Sequence, residues 1–174
     1  MMPLGHIGLP LLPFLRGREA LFDVRLLIIG GILPDLIDKP LGHLILPMDN
    51  GRIFAHTMVF AVLLLLTGLV FRRLLPLSLG VTLHHLFDNI YLEPGTALWP
   101  FLGPFPSGDF LVTSWLTAFL DPQVYGWELF GAMVLIVFLI KKGIRTPSGL
   151  FKFLISGRTS PTSDPSKNAS DAGR

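Results

Sequence analysis

Apolar runs of 11 to 17 residues, separated by prolines, glycines and small clusters of charge, dominate the chain. Thr57 to Phe71 carries no charged residue, with His56 before it and Arg72-Arg73 after it. Val124 to Ile140 is a second such run, closed by Lys141-Lys142. Leu77 to Leu92 restarts the chain after Pro76 and holds His84, His85 and Asp88 in its middle. Leu21 to Ile37 is a fourth, interrupted by Asp23, Arg25 and Pro34. These runs approach the ~20 residues that a membrane-spanning helix needs, and flanking basic side chains can snorkel to make up the difference. The pattern predicts an all-α fold: a polytopic membrane bundle of about four transmembrane helices with short re-entrant or interfacial pieces.

The remaining stretches read differently. Met1 to Leu15 is apolar but broken by Pro3, Pro10 and Pro13, so a short interfacial or re-entrant segment is expected there. It lacks the basic start and small-residue cleavage site of a signal peptide, and it is expected to be retained. Asp38 to Arg52 is expected as a polar loop, with the proline of Leu33-Pro34-Asp35 breaking or restarting the helix before it. Glu93 to Gly108 reads as an irregular loop rich in Pro and Gly. Phe110 to Leu120 is a short apolar helix on or in the bilayer. Residues 1–157 form one membrane-embedded domain, and 158–174 a polar tail without the means to build a core.

Composition sharpens the membrane reading. Of 174 residues, 51% are hydrophobic and 15% charged, with a mean hydropathy of +0.61. Soluble domains carry roughly 25% charged residues. No cysteine is present, which removes disulfides, thiolate metal sites and thiol nucleophiles. The net charge of +2 fits basic residues gathered in cytoplasmic loops, and no nucleic-acid-binding motif is found. Placing Arg16, Arg18, Arg72, Arg73, Lys141, Lys142 and Arg145 in the cytoplasm makes four spans alternate consistently. Both termini are then cytoplasmic, and Asp35, His56 and Asp88 all reach the outer ends of their helices.

Ionisable groups inside spans cost roughly 2.5–3.5 kcal/mol each on insertion scales and normally face a partner or a cavity. His84 and Asp88, four apart, share a helix face with Gly80, which leaves room for an ion or a neighbouring helix. A divalent cation or a hydrogen-bonded pair tying helices together would each explain them. His85 points elsewhere, as a partner of Asp88 or an interhelical bond. Asp35 and Asp38 could both face one polar cavity, one as metal ligand and the other as general base or further ligand. Arg52, one turn before His56, could receive an anionic group. His43 lies in a loop and His6 near a terminus. Histidine and carboxylate ligands without cysteine suit Zn²⁺, Mn²⁺ or Fe²⁺.

Five pieces occur in order: Gly5-His6, Leu33-Pro34-Asp35-x-x-Asp38, Arg52-x-x-x-His56-Thr57, Gly80-x-x-x-His84-x-x-x-Asp88 and Leu98-Trp99-Pro100. Over residues 5–101 the chain resembles the bacterial and archaeal membrane-bound metal-dependent hydrolases, a family that includes an inner-membrane protein of the LexA-controlled DNA-damage response. The resemblance implies a helical membrane fold, a hydrolase activity and a distant likeness to zinc-dependent phospholipase C. It also implies a divalent metal, held by His6, Asp35, His56, His84 and Asp88, with Trp99-Pro100 as a structural lip. The family's Pro-Asp-x-Asp-His differs here: one more residue separates the carboxylates, and Lys39 stands in place of the His. Its Thr-His-Ser is Ala55-His56-Thr57.

The expected function is therefore hydrolysis of an ester or phosphoester by metal-activated water, on a small-molecule or membrane-lipid substrate, with Asp38 and Arg52 as catalytic candidates. Two alternatives use the same residues: a non-catalytic metal-binding or transport protein, and a structural membrane protein whose polar groups only join helices. A transport path should be polar through both halves of the bilayer, whereas the inner half of Thr57–Phe71 and nearly all of Val124–Ile140 are apolar.

Overall fold

The computed structural model describes residues 3–16, 23–46, 48–106, 117–118 and 120–156. The expected Phe110–Leu120 helix and the 158–174 tail lie almost wholly or wholly outside them. The described residues form helices joined by turns, with no strand among them. In chain order these are α1 (Pro3–Gly8), α2 (Val24–Pro40), α3 (Met58–Val70), α4 (Leu75–Phe87), α5 (Pro94–Ala97), α6 (Pro122–Lys141) and α7 (Pro147–Ser156), with short 3₁₀ or π-type turns between them.

Local chemistry sets the helix ends. Asp23 marred a span in the sequence reading, yet its carboxylate accepts the Arg25 backbone N–H at 3.0 Å and caps α2. Thr57 caps α3 through Phe60 N at 3.1 Å, and Asp121 caps α6 through Gln123 N at 2.8 Å, with Pro122 in the first turn. Asn89, in the left-handed region at φ 55°, follows α4 and turns the chain toward Glu93. Asparagine tolerates that conformation better than most residues.

The helix does not break at Pro34 as expected. α2 runs from Val24 through Pro34 to Pro40, then widens into a π-type turn over Leu41–Ile45. A proline removes one N–H and leaves the carbonyl one turn earlier without its helical donor. Here α4 packs closely against that stretch. His84 Nδ1 donates to the Gly31 carbonyl at 2.8 Å. A Cβ on Gly30 would lie 2.1 Å from the Leu77 oxygen, and one on Gly80 2.3 Å from the Leu27 oxygen. Gly80 therefore makes room for a neighbouring helix.

An apolar core gathers Leu11, Phe14, Val24, Leu27, Val134, Phe138, Ile144 and Phe153, from the segment after α1, the start of α2, the last turns of α6 and α7. The polar residues lie elsewhere, around the later half of α2, the start of α3 and the end of α4. Among the described residues α6, of 20 residues, is the helix long and apolar enough to cross a bilayer. It supports membrane association. α3 is apolar but has 13 residues, about 20 Å of helix against a hydrocarbon core of about 30 Å.

Candidate metal centre

Four residues from three segments converge: Asp35 on α2, His56 in the turn before α3, and His84 and Asp88 at the end of α4. One ligand atom from each lies within 4.8 Å of all the others. His56 and His84 are fully buried and Asp88 nearly so, while Asp35 is partly exposed. Three of them, Asp35, His56 and Asp88, are positions the sequence reading placed near the same ends of their helices.

The orientation of the two imidazoles follows from what their other nitrogens do. His56 Nδ1 donates to Asp38 Oδ2 at 2.7 Å, and His84 Nδ1 donates to a backbone carbonyl. A neutral ring with its proton on Nδ1 carries a lone pair on Nε2. The two Nε2 atoms face each other at 3.1 Å. Two lone pairs at that distance repel unless a cation or an added proton lies between them. Two nitrogens bound to one tetrahedral zinc, with bonds of ~2.0–2.1 Å, would be roughly 3.3 Å apart. Asp35 Oδ1 is 3.6 Å from His56 Nε2 and 4.0 Å from His84 Nε2, and Asp88 Oδ2 is 3.9 Å from both. Two imidazoles and two carboxylates thus make a buried group that can hold a divalent metal.

The other expected site residues surround this group. Asp38 is completely buried, and its carboxylate accepts from the backbone N–H of Ile53, Ala55 and His56 at 2.9–3.1 Å, besides the His56 ring. His6, 1% exposed, donates from Nε2 to Asp88 Oδ1 at 3.0 Å and stacks on the His84 ring at 4.0 Å. Its contact is therefore to a carboxylate of the four-residue group, and it stands outside that group itself. Arg52 reaches Asp88 Oδ2 with Nη2 at 3.1 Å and Glu93 with Nη1. Burial works against the Arg52 charge, but Asp88, Glu93 and Asp35 outweigh it and hold its proton above the ordinary arginine range. His85 donates to the Val81 carbonyl of its own helix at 2.8 Å, and His43 lies in the turn after α2.

Two contributors, Glu93 and Glu128, were not singled out from sequence, and Lys39 was noted only as a departure from the family's pattern. Lys39 pairs with Asp35 Oδ2 at 2.7 Å, Glu93 holds Arg52, and Glu128 on α6 accepts two backbone N–H groups of α1. A lone carboxylate in an apolar run is the signal that would have found Glu128. Trp99 stacks on Phe105 at 4.8 Å and meets the edge of Phe54 at 5.3 Å. Phe54 stands two residues before His56, so the Trp99-Pro100 segment leans on the loop that carries His56.

No curated protein and no solved structure matches the chain. A family model described as YdjM inner membrane protein matches residues 1–147, a stretch that contains α1 to α6 and every residue of the site. With a buried His and Asp group of metal-binding geometry inside the matched region, the chain belongs to the YdjM inner membrane protein family.

Proposed function

We propose that the protein is a membrane-embedded metal-dependent hydrolase acting on an ester or phosphoester, its substrate a lipid or lipid-linked molecule. The observation that carries this reading is the pair of imidazole Nε2 atoms facing each other at 3.1 Å with both Nδ1 protons committed elsewhere. Asp35, His56, His84 and Asp88 would hold the ion. Zinc suits the donor set best, and manganese or iron is compatible. When bound, such an ion lowers the pKa of water and polarises a carbonyl or phosphoryl oxygen.

The chain's own groups divide the remaining work. Asp38 is completely buried and spends both oxygens on the 53–56 loop, three hydrogen bonds on Oδ2 and one on Oδ1, so we assign it to fixing the ring and backbone of His56, in place of the general-base role expected from sequence. His6 fixes Asp88 in the same way. Arg52, a third exposed at its side chain, faces the ligand carboxylate and can receive an anionic substrate group in exchange for Glu93. Its fixed positive charge beside the site also disfavours a cation path. An apolar groove of about 260 Å³ runs between α3 and the 97–101 segment, lined by Met58, Val59, Val62, Leu63, Ala97, Leu98 and Phe101. Its two walls start close in sequence to His56 and to Glu93, which supports an acyl chain lying beside the polar site.

In this reading α2, α3, α4 and α6 are the four spans of one domain over residues 1–157, both termini are cytoplasmic, and the site opens toward the outer side. A cysteine replacing Ile45 should label from outside in intact cells and one replacing Leu75 should not; labelling of only Leu75→Cys would reverse the orientation. For activity, purified protein in lipid vesicles should cleave a phosphoester or ester lipid in a metal-dependent way, with turnover lost in Asp35→Ala. Stoichiometric metal without turnover on either class would leave a binding protein and refute the enzyme.

A further inference from the structure

The one carboxylate within the long apolar helix α6 is spent on α1. Glu128 Oε2 accepts the Leu4 N–H at 3.0 Å and Oε1 accepts the Gly5 N–H at 2.9 Å. The first amides of any helix have no partner within it, and α1, at six residues, is too short to persist alone. The fit between the two helices is close. A Cβ on Gly8 would lie 1.9 Å from the Gly131 oxygen, and one on Gly131 would lie 2.5 Å from the Leu4 oxygen. Position 131 is one turn after 128 on nearly the same face of α6, so the capping carboxylate and the glycine contact form one docking strip.

The residue directly after the two capped amides is His6. Its Nε2–H holds Asp88 Oδ1, and its ring lies on His84, so it touches two members of the four-residue group at once. α6 supplies none of that group. Its connection to the site runs from Glu128 through the start of α1 to His6 and then to Asp88.

From this chain of contacts we infer that Glu128 is a positioning residue of the metal centre, holding α1 so that His6 fixes the Asp88 carboxylate. The inference rests on the metal reading of the site. Loss of the Glu128 carboxylate frees α1, lets His6 leave Asp88, and weakens the site from a distance. A carboxylate that merely joined helices would lower stability and leave the centre unchanged.

The test uses the full chain in lipid nanodiscs: wild type, Glu128→Ala, Glu128→Gln, His6→Ala and the Glu128→Ala/His6→Ala double variant. Cobalt and zinc affinity are measured by competition with a chromogenic chelator, and the cobalt absorption spectrum is recorded. Carbethoxylation of His6 is followed by peptide mass mapping in metal-free protein. Glu128→Ala should weaken metal binding by about 10- to 100-fold, as His6→Ala does. The double variant should lose no more than either single one. Glu128→Gln, which keeps a carbonyl acceptor for one amide, should restore part of the affinity. His6 should be protected in wild type and reactive in Glu128→Ala. Wild-type metal affinity and a protected His6 in Glu128→Ala would overturn the inference, and so would additive losses in the double variant. If Glu128→Ala fails to fold, Glu128→Gln decides by the same two readouts, intermediate values supporting and wild-type values refuting. A wild type that binds no metal would refute the metal reading separately, while His6 mapping would still judge the hold on α1.

Discussion

The two halves of α2 are buried against different chemistry. In the first half, Val24 and Leu27 pack with Phe138, Val134 and Phe153 in an apolar cluster. In the second, Asp38 is just as buried, but its carboxylate accepts four directed hydrogen bonds, and Asp35 faces two histidines. The apolar half tolerates changes of shape as long as volume is kept. The polar half tolerates almost none, because each donor or acceptor left without its partner there costs more than the bond itself contributed. One helix thus carries a region that supplies stability and a region that consumes it to hold the buried His and Asp group in place.

Substitutions can separate the two. Asp38→Ala should have the largest effect, because it leaves three backbone N–H groups and the His56 ring without an acceptor. We expect about 3–5 kcal/mol of lost stability, by analogy with breaking a buried pair, together with loss of metal. Chemical unfolding in detergent and metal analysis check both. Leu27→Ala should cost about 2–5 kcal/mol through a cavity in the apolar cluster, yet the folded protein should keep its metal affinity. If Leu27→Ala strips metal, the two halves are one unit and the comparison fails. Arg52→Ala should leave metal content intact and raise the KM for an anionic substrate by about 10-fold or more, as expected when a charge-assisted bond of ~1.5–3 kcal/mol is lost. Asp23→Ala removes the cap of α2 at the apolar end and should lower stability by about 1 kcal/mol, without effect on metal binding.

The sequence made the convergence of Asp35, His56, His84 and Asp88 legible for a physical reason. His84 and Asp88, four apart in an apolar run, must share a face, and His56 and Asp35 end neighbouring runs at the same depth. What it left open is also instructive. Asp35 and Asp38 are three apart, and spacing alone cannot tell which carboxylate meets backbone amides and which meets histidine; that depends on where the loop over Ile53 to His56 folds. Pro34 suggested a break, but the helix continues through it where α4 packs closely against Gly30 and His84 donates to the Gly31 carbonyl. Asp23 looked like a flaw in a span because a cap and a buried charge are the same letter. The run from Thr57 to Phe71 was found almost to the residue as α3, since an uninterrupted apolar stretch admits few other structures. Glu128 and Glu93 escaped because their partners, the α1 amides and Arg52, are remote in sequence.

The central claim is that the facing Nε2 atoms of His56 and His84 belong to a metal site. Elemental analysis of the purified protein beside His84→Ala and Asp88→Ala tests it most directly. The account predicts near-stoichiometric zinc, manganese or iron in the wild type, lost in both variants while they remain folded. A wild type that carries no divalent metal and takes up none when it is added would contradict it.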